Sequence, residues 1–149
     1  MKIIKQAFAL CIIACSTCTL KAQIASSTKP LLFNNSSPSF TAATTELDKA
    51  FAVNEGSSIQ LNFANHFTFY GTVISSVQRY GKLSSIIIKS PSLHNTLLSV
   101  SNRIDDDASF TYVGRILNES YADGYELKKS GNGSYAFQKI KTEDLIQDY

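Results

Sequence analysis

Phe67-Thr68-Phe69-Tyr70-Gly71-Thr72-Val73-Ile74 is the stretch on which the fold turns. Phe67, Phe69, Gly71 and Val73 share one face, and Thr68, Tyr70, Thr72 and Ile74 share the other. That period of two belongs to a strand with one side on a core. Upstream, Ile59, Leu61 and Phe63 alternate with polar neighbours in the same way. Downstream, residues 82–89 contain Ile86-Ile87-Ile88, a β-branched run suited to a strand covered on both faces. Residues 97–104, 108–117, 124–129 and 135–140 complete seven expected strands. Tyr80-Gly81, Asp105-Asp106-Asp107, Ala122-Asp123-Gly124 and Gly131-Asn132-Gly133 separate them as short turns, so neighbours pair as hairpins. Ser90-Pro91-Ser92-Leu93-His94-Asn95 is the longest break and is expected to cross between sheet regions. The pattern predicts an all-β domain, an antiparallel meander forming a small sandwich, roll or barrel.

The deciding stretch has an echo 43 residues on, in Phe110-Thr111-Tyr112-Val113-Gly114-Arg115-Ile116-Leu117. Phe, Thr and Gly recur in place, with Gly in mid-strand, where a bend or a close backbone approach is expected. One reading is the ordinary vocabulary of twisted strands. The other is a duplication, two related hairpins about a pseudo-two-fold with Gly71 and Gly114 at equivalent bends.

Before the strands, Thr45-Glu46-Leu47-Asp48-Lys49-Ala50-Phe51-Ala52 places apolar residues at 47, 50 and 51 behind a threonine and an acidic turn. It reads as a short N-terminal helix capped by that threonine. Residues 142–147 are expected to add one terminal helical turn.

The first 22 residues read as a signal peptide. Lys2 and Lys5 precede an apolar run from Ala7 to Ala14, and a small residue, Ala22, stands before Gln23. The run is too short to span a bilayer, which takes roughly 20 residues, and no transmembrane segment is expected elsewhere. Leu20-Lys21-Ala22-Gln23 resembles export signals common among Bacteroidota, a resemblance that covers the leader only. It implies a periplasmic or extracellular location. Ile12-Ile13-Ala14-Cys15 offers a competing cut, because it resembles a lipobox; Cys15 would then carry a lipid anchor in the envelope.

Removing residues 1–22 takes away Lys2, Lys5 and Lys21 and reduces 14 basic residues to 11, against 12 acidic. The mild basicity of the whole chain therefore belongs to its leader, and a nucleic-acid partner is not expected. Cys11, Cys15 and Cys18 leave as well. The exported chain would have no disulfide, no thiol nucleophile and no thiolate metal site, and its stability must come from its core. Residues 23–45, rich in Ser and Thr with Pro30 and Pro38, read as a polar tether. Leu31-Leu32-Phe33 is its one apolar knot, expected to lie against the domain as a staple. Residues 46–149 form the single β-rich domain.

No catalytic constellation stands out. His66 and His94 have no carboxylate or histidine at ligand spacing and read as turn residues. Asp105-Asp106-Asp107 lacks the alternating spacing of a calcium loop and reads as a solvated hairpin tip. No nucleophile elbow, zinc helix or phosphate loop is present. Catalytic, cofactor and metal residues are accordingly none. Tyr70, Tyr80, Tyr121, Tyr125 and Tyr135 are the expected contact surface, since tyrosine joins an apolar body to a polar tip. The resulting expectation is a non-enzymatic exported domain that binds a protein or surface partner. The alternatives are a small or sugar ligand in a β-roll cavity, and a hydrolase using turn carboxylates.

Overall fold

The computed structural model describes residues 29–145. The leader with Cys15, residues 23–28 of the expected tether and residues 146–149 lie outside the described residues. Among the described residues, eight antiparallel strands form one curled sheet, a half-barrel. The strands are β1 (Ser39–Ala42), β2 (Ser58–Asn62), β3 (Thr68–Arg79), β4 (Leu83–Ser90), β5 (Thr96–Ile104), β6 (Phe110–Leu117), β7 (Asp123–Lys129) and β8 (Tyr135–Lys141). Strands β2 to β8 follow one another as a meander, and β1 returns to pair with β8. The all-β expectation is met, by one curled sheet with a short helix.

Alternation sets the inner face. Phe69 and Val73 of β3, Ile86 and Ile88 of β4, Leu98 and Val100 of β5, and Tyr112 and Ile116 of β6 are all buried. The helix α1 (Thr44–Phe51) joins β1 to β2 and buries Leu47 and Ala50. Its N-cap position is Ala43, with no side-chain cap bond, so the expected threonine cap does not form. Thr45 lies two residues past the cap position, inside the first turn.

The sheet curls until the β2–β3 loop meets β1. Phe40 of β1 stacks on Phe67, just before β3, with centroids 4.3 Å apart, and touches Phe63, Tyr125 and Phe137. Ala64 donates its N–H to Thr41 O at 3.1 Å, tying the β2–β3 loop to β1. The interior is therefore packed ring against ring.

Two sequence boundaries move. The tether expected at 23–45 is, from Pro30 onward, built into the domain, because Phe33 and Phe40 are buried in its core. Its anchor is Asp123, only 3% exposed, whose carboxylate accepts from Leu32 N at 2.6 Å and Phe33 N at 3.0 Å. Lys139 Nζ donates to Phe33 O at 2.6 Å and Ser36 O at 2.9 Å. Paired N–H donors offset the cost of burying the charge. The 90–95 break does not cross between sheet regions either. It is a 3-10 turn, Pro91–Leu93, between neighbouring strands that pair Ser90 with Thr96. The tail expected to be helical forms a 3-10 turn over Thr142–Leu145.

The echo has a geometric counterpart. Val73 pairs with Ile88, and Ile116 pairs with Leu98; Thr72 pairs with Lys89, and Arg115 with Ser99. A pseudo-two-fold through the Ile88–Leu98 pair, perpendicular to the sheet, carries β3 onto β6 and β4 onto β5. The chain, however, runs from β3 to β4 but from β5 to β6, so the axis does not relate two like hairpins. Strand register is shared and connectivity is not.

Candidate functional site

The five tyrosines do not gather on one surface. Tyr125 and Tyr135 point inward and are buried, because their positions fall on the core phase of β7 and β8. Tyr125 Oη donates to Ser37 O at 2.7 Å, and Tyr135 Oη accepts from Tyr112 N at 3.2 Å. Tyr121 is half-buried beside His94, with ring centroids 5.9 Å apart. Only Tyr70 and Tyr80 are exposed, at opposite ends of β3. The contact surface expected from all five is thereby corrected to two separated residues.

The acidic cluster shapes a turn. Asp105 accepts from Thr111 Oγ1 at 2.6 Å and from Arg103 Nε at 2.8 Å, and these bonds hold its carboxyl below the usual range. Ser109 bonds to Asp107 and lowers that carboxyl in turn. Asp106 faces Lys82 at 3.3 Å. Among the described residues no group of acidic, histidine or cysteine side chains has the arrangement of a metal site. His66 and His94 sit at left-handed backbone, φ 59° and 52°, as turn residues.

Sheet edges are where this architecture differs from residue to residue. A bare edge offers unpaired N–H and C=O groups to any extended chain, and proteins usually cover it. The outer side of β2 is covered by α1: Glu46 Oε2 accepts from Asn62 N at 2.8 Å, and Lys49 Nζ donates to Gln60 O at 2.8 Å. The outer side of β1 is met by Ala64 N and by Asn65 Nδ2, which donates to Ser39 O at 3.2 Å.

The second half of β3 has no such cover. Strand β2 spans 5 residues and β3 spans 12, and their ladder ends at Ser58–Thr72. Val73 is the last residue served, donating to Ser57 O at 3.0 Å and accepting from Gly56 N at 2.8 Å. Beyond it the β3–β4 register slips, with Ile74 as the extra residue, and resumes at Ser75–Ile87. Since Val73 turns its polar groups away from β4, its partner Ile88 turns its own toward β5. Ile87 and Ser85 therefore face β3, bonding Ser75 and Val77. Ser76 and Gln78 are left with N–H and C=O pointing out of the sheet.

Side chains along this edge are exposed too. Ile74 is 44% exposed, Val77 42% and Tyr80 97%. Arg79 and, in the loop that docks on Val73, Glu55 have no ion-pair partner among the described residues. On the convex face Val77 heads a row with Ser85, Ser101 and Val113, in which the two serine hydroxyls bond at 2.7 Å. An open depression of about 410 Å³ lies over that face between Ser99, Val113, Arg115 and Lys128.

Sequence reasoning missed Ser76, Val77, Gln78 and Arg79. The signal was present in strand lengths: a short apolar alternation at 59–63 precedes a stretch that runs unbroken to the Tyr80-Gly81 turn. A long strand hairpinned to a short one must overhang. No protein family, curated protein or solved structure matches the chain, so the geometry alone carries the functional reading.

Proposed function

We propose that this chain acts by binding rather than by catalysis, as an exported domain that takes a protein or surface partner along the open edge of β3. One observation carries the reading: two of the sheet's edges are sealed by specific side chains, while Ser76 and Gln78 keep their backbone groups free. Strand addition uses such groups for affinity and flanking side chains for selectivity. Export rests on the leader at residues 1–22, and no helix among the described residues is long and apolar enough to cross a membrane. Phe40, Phe67, Tyr125 and Phe137 of the inner face are engaged with one another in the core.

Gln78→Pro is the decisive variant. Its N–H faces away from β4, so proline removes an outward donor and spares the internal ladder. The purified protein is panned against a library of random extended peptides displayed on phage. Selection of β-prone sequences by the wild type and not by Gln78→Pro is the expected result. No selection, or selection indifferent to the substitution, overturns the proposal.

A further inference from the structure

We infer that the open edge of β3 is self-complementary and that its occupant is a second copy of this chain, paired antiparallel about a two-fold axis at Val77. This rests on the edge being a binding site and names what it binds.

The outward groups belong to Ser76 and Gln78, which flank Val77 symmetrically. An antiparallel partner centred on Val77 sets Ser76 opposite Gln78 of the second copy, and Gln78 opposite its Ser76. Those are hydrogen-bonded pairs, which exchange both bonds, and Val77 faces Val77 across the closer non-hydrogen-bonded pair. A centre at Ser76 would set Gln78 opposite Ile74 at the bulge, and a centre at Gln78 would set Ser76 opposite Tyr80 beyond the strand end, so only Val77 engages both outward residues in regular pairs.

The exposed apolar residues obey the same symmetry. Ile74 and Tyr80 are each three positions from Val77, so the axis brings Tyr80 of one copy level with Ile74 of the other. Three exposed apolar residues on one edge thus become three matched positions. Charge follows suit. Glu55 lies in the loop that docks on Val73, at one end of the edge, and Arg79 lies at the other. In the pair, Arg79 stands opposite Ser75 of the second copy and comes alongside its Glu55, twice by symmetry. These two groups of opposite sign have no ion-pair partner among the described residues of one chain. Joining two edges also makes one continuous sheet of the two copies, which removes the open edge altogether.

A contact built on so short an edge falls in the weak class of interfaces, below about 1,200 Å². Sedimentation equilibrium from about 10 µM to about 1 mM covers the affinities of that class. The wild type should dimerise reversibly in this range, and Gln78→Pro should weaken association at least about tenfold. Glu55→Arg and Arg79→Glu should each weaken it severalfold, since each sets like charges together twice. Mixing those two variants should restore association as a mixed dimer, because every cross-copy pair is then opposite in sign. This recovery separates lost contacts from lost folding. A wild type that stays monomeric overturns the inference, as does a dimer indifferent to Gln78→Pro or a mixture that does not recover. Monomeric protein that still selects peptides through the edge overturns the second copy alone. Failure of both experiments removes the binding edge as well.

Discussion

Strands β3 and β6 present the same residue types to the same interior, and they differ in what lies beside them. Phe69 and Tyr112 are equivalent about the axis at Ile88–Leu98, as are Gly71 and Gly114, and Val73 and Ile116. Yet β3 outruns β2 and ends as a bare edge, whereas β6 has a strand on both sides. Even there the pairing is thin, for the β6–β7 ladder holds only Arg115–Glu126 and Ile116–Tyr125. Tyr135 closes the gap by accepting from Tyr112 N. The shared motif fixes which side chains enter the core and where the strand approaches its neighbour. The flanking lengths decide whether the outer side is paired, plugged or open.

The largest difference between the two strands should show at the buried aromatic position. Phe69→Ala should cost about 3–5 kcal/mol, as expected for truncating a fully buried phenylalanine, read as a shift of the urea midpoint. The glycines come next and should not be equal. A Cβ at Gly71 would meet Ile88 Cγ2 at 2.8 Å and the Lys89 carbonyl closer still, whereas at Gly114 the nearest atom is Ser99 O at 2.9 Å and the next lies at 3.4 Å. Gly71→Ala is therefore expected to lose about 2–3 kcal/mol and Gly114→Ala about 1 kcal/mol, because the crowding there is milder and alanine's lower unfolded entropy offsets part of it. Equal costs would mean that the two glycine positions are alike in packing as well as in register.

Tyr112→Phe sharpens a difference between the aromatic positions. Tyr112 Oη donates to the Asp48 carboxylate on α1, and burial together with that carboxylate pushes the phenol up from its ordinary value. Phe69 has no such link. Loss of the hydroxyl should cost about 1 kcal/mol, and Asp48→Asn on top of it should add little.

The smallest effect concerns Arg115, which replaces Thr72 in the echo. Glu126 is held below the ordinary glutamate range by Lys128 and then by Arg115, which donates at 2.8 Å. A carboxyl lowered in the folded state stabilises it fully at neutral pH. That contribution is lost as pH falls below the ordinary range and through the lowered value. Chemical denaturation across this window should show Glu126→Gln losing less stability on acidification than the wild type, by under about 1 kcal/mol.

Much of this architecture could be read from alternation and punctuation. Phe69, Val73, Ile86 and Ile116 announce their burial by phase, and Tyr80-Gly81 and Gly131-Asn132-Gly133 announce their turns. Polar composition hid β1, because Ser39 and Thr41 face outward and only Phe40 and Ala42 face the core. Tyr125 and Tyr135 misled for the opposite reason: a residue type enriched at contact surfaces also serves as core when its hydroxyl finds a partner. The Asp123 clasp joins residues 90 and 91 positions apart, and no local pattern encodes such a bond. The open edge was legible only by subtracting one strand length from another.

The Asp123 clasp and the β1–β8 pairing also govern time. A chain leaves the ribosome from its N-terminus, yet the first strand of this one has its partner at Tyr135–Lys141 and the preceding arm has its anchor at Asp123. The clasp waits for Asp123 and the strand pairing for Tyr135–Lys141. The meander from β2 onward can form by local hairpins as it emerges, while the arm before β1 and β1 itself wait longest to dock. The arm at residues 30–38 and β1 would thus stay undocked while β2 to β7 assemble, and β8 would decide when they are committed.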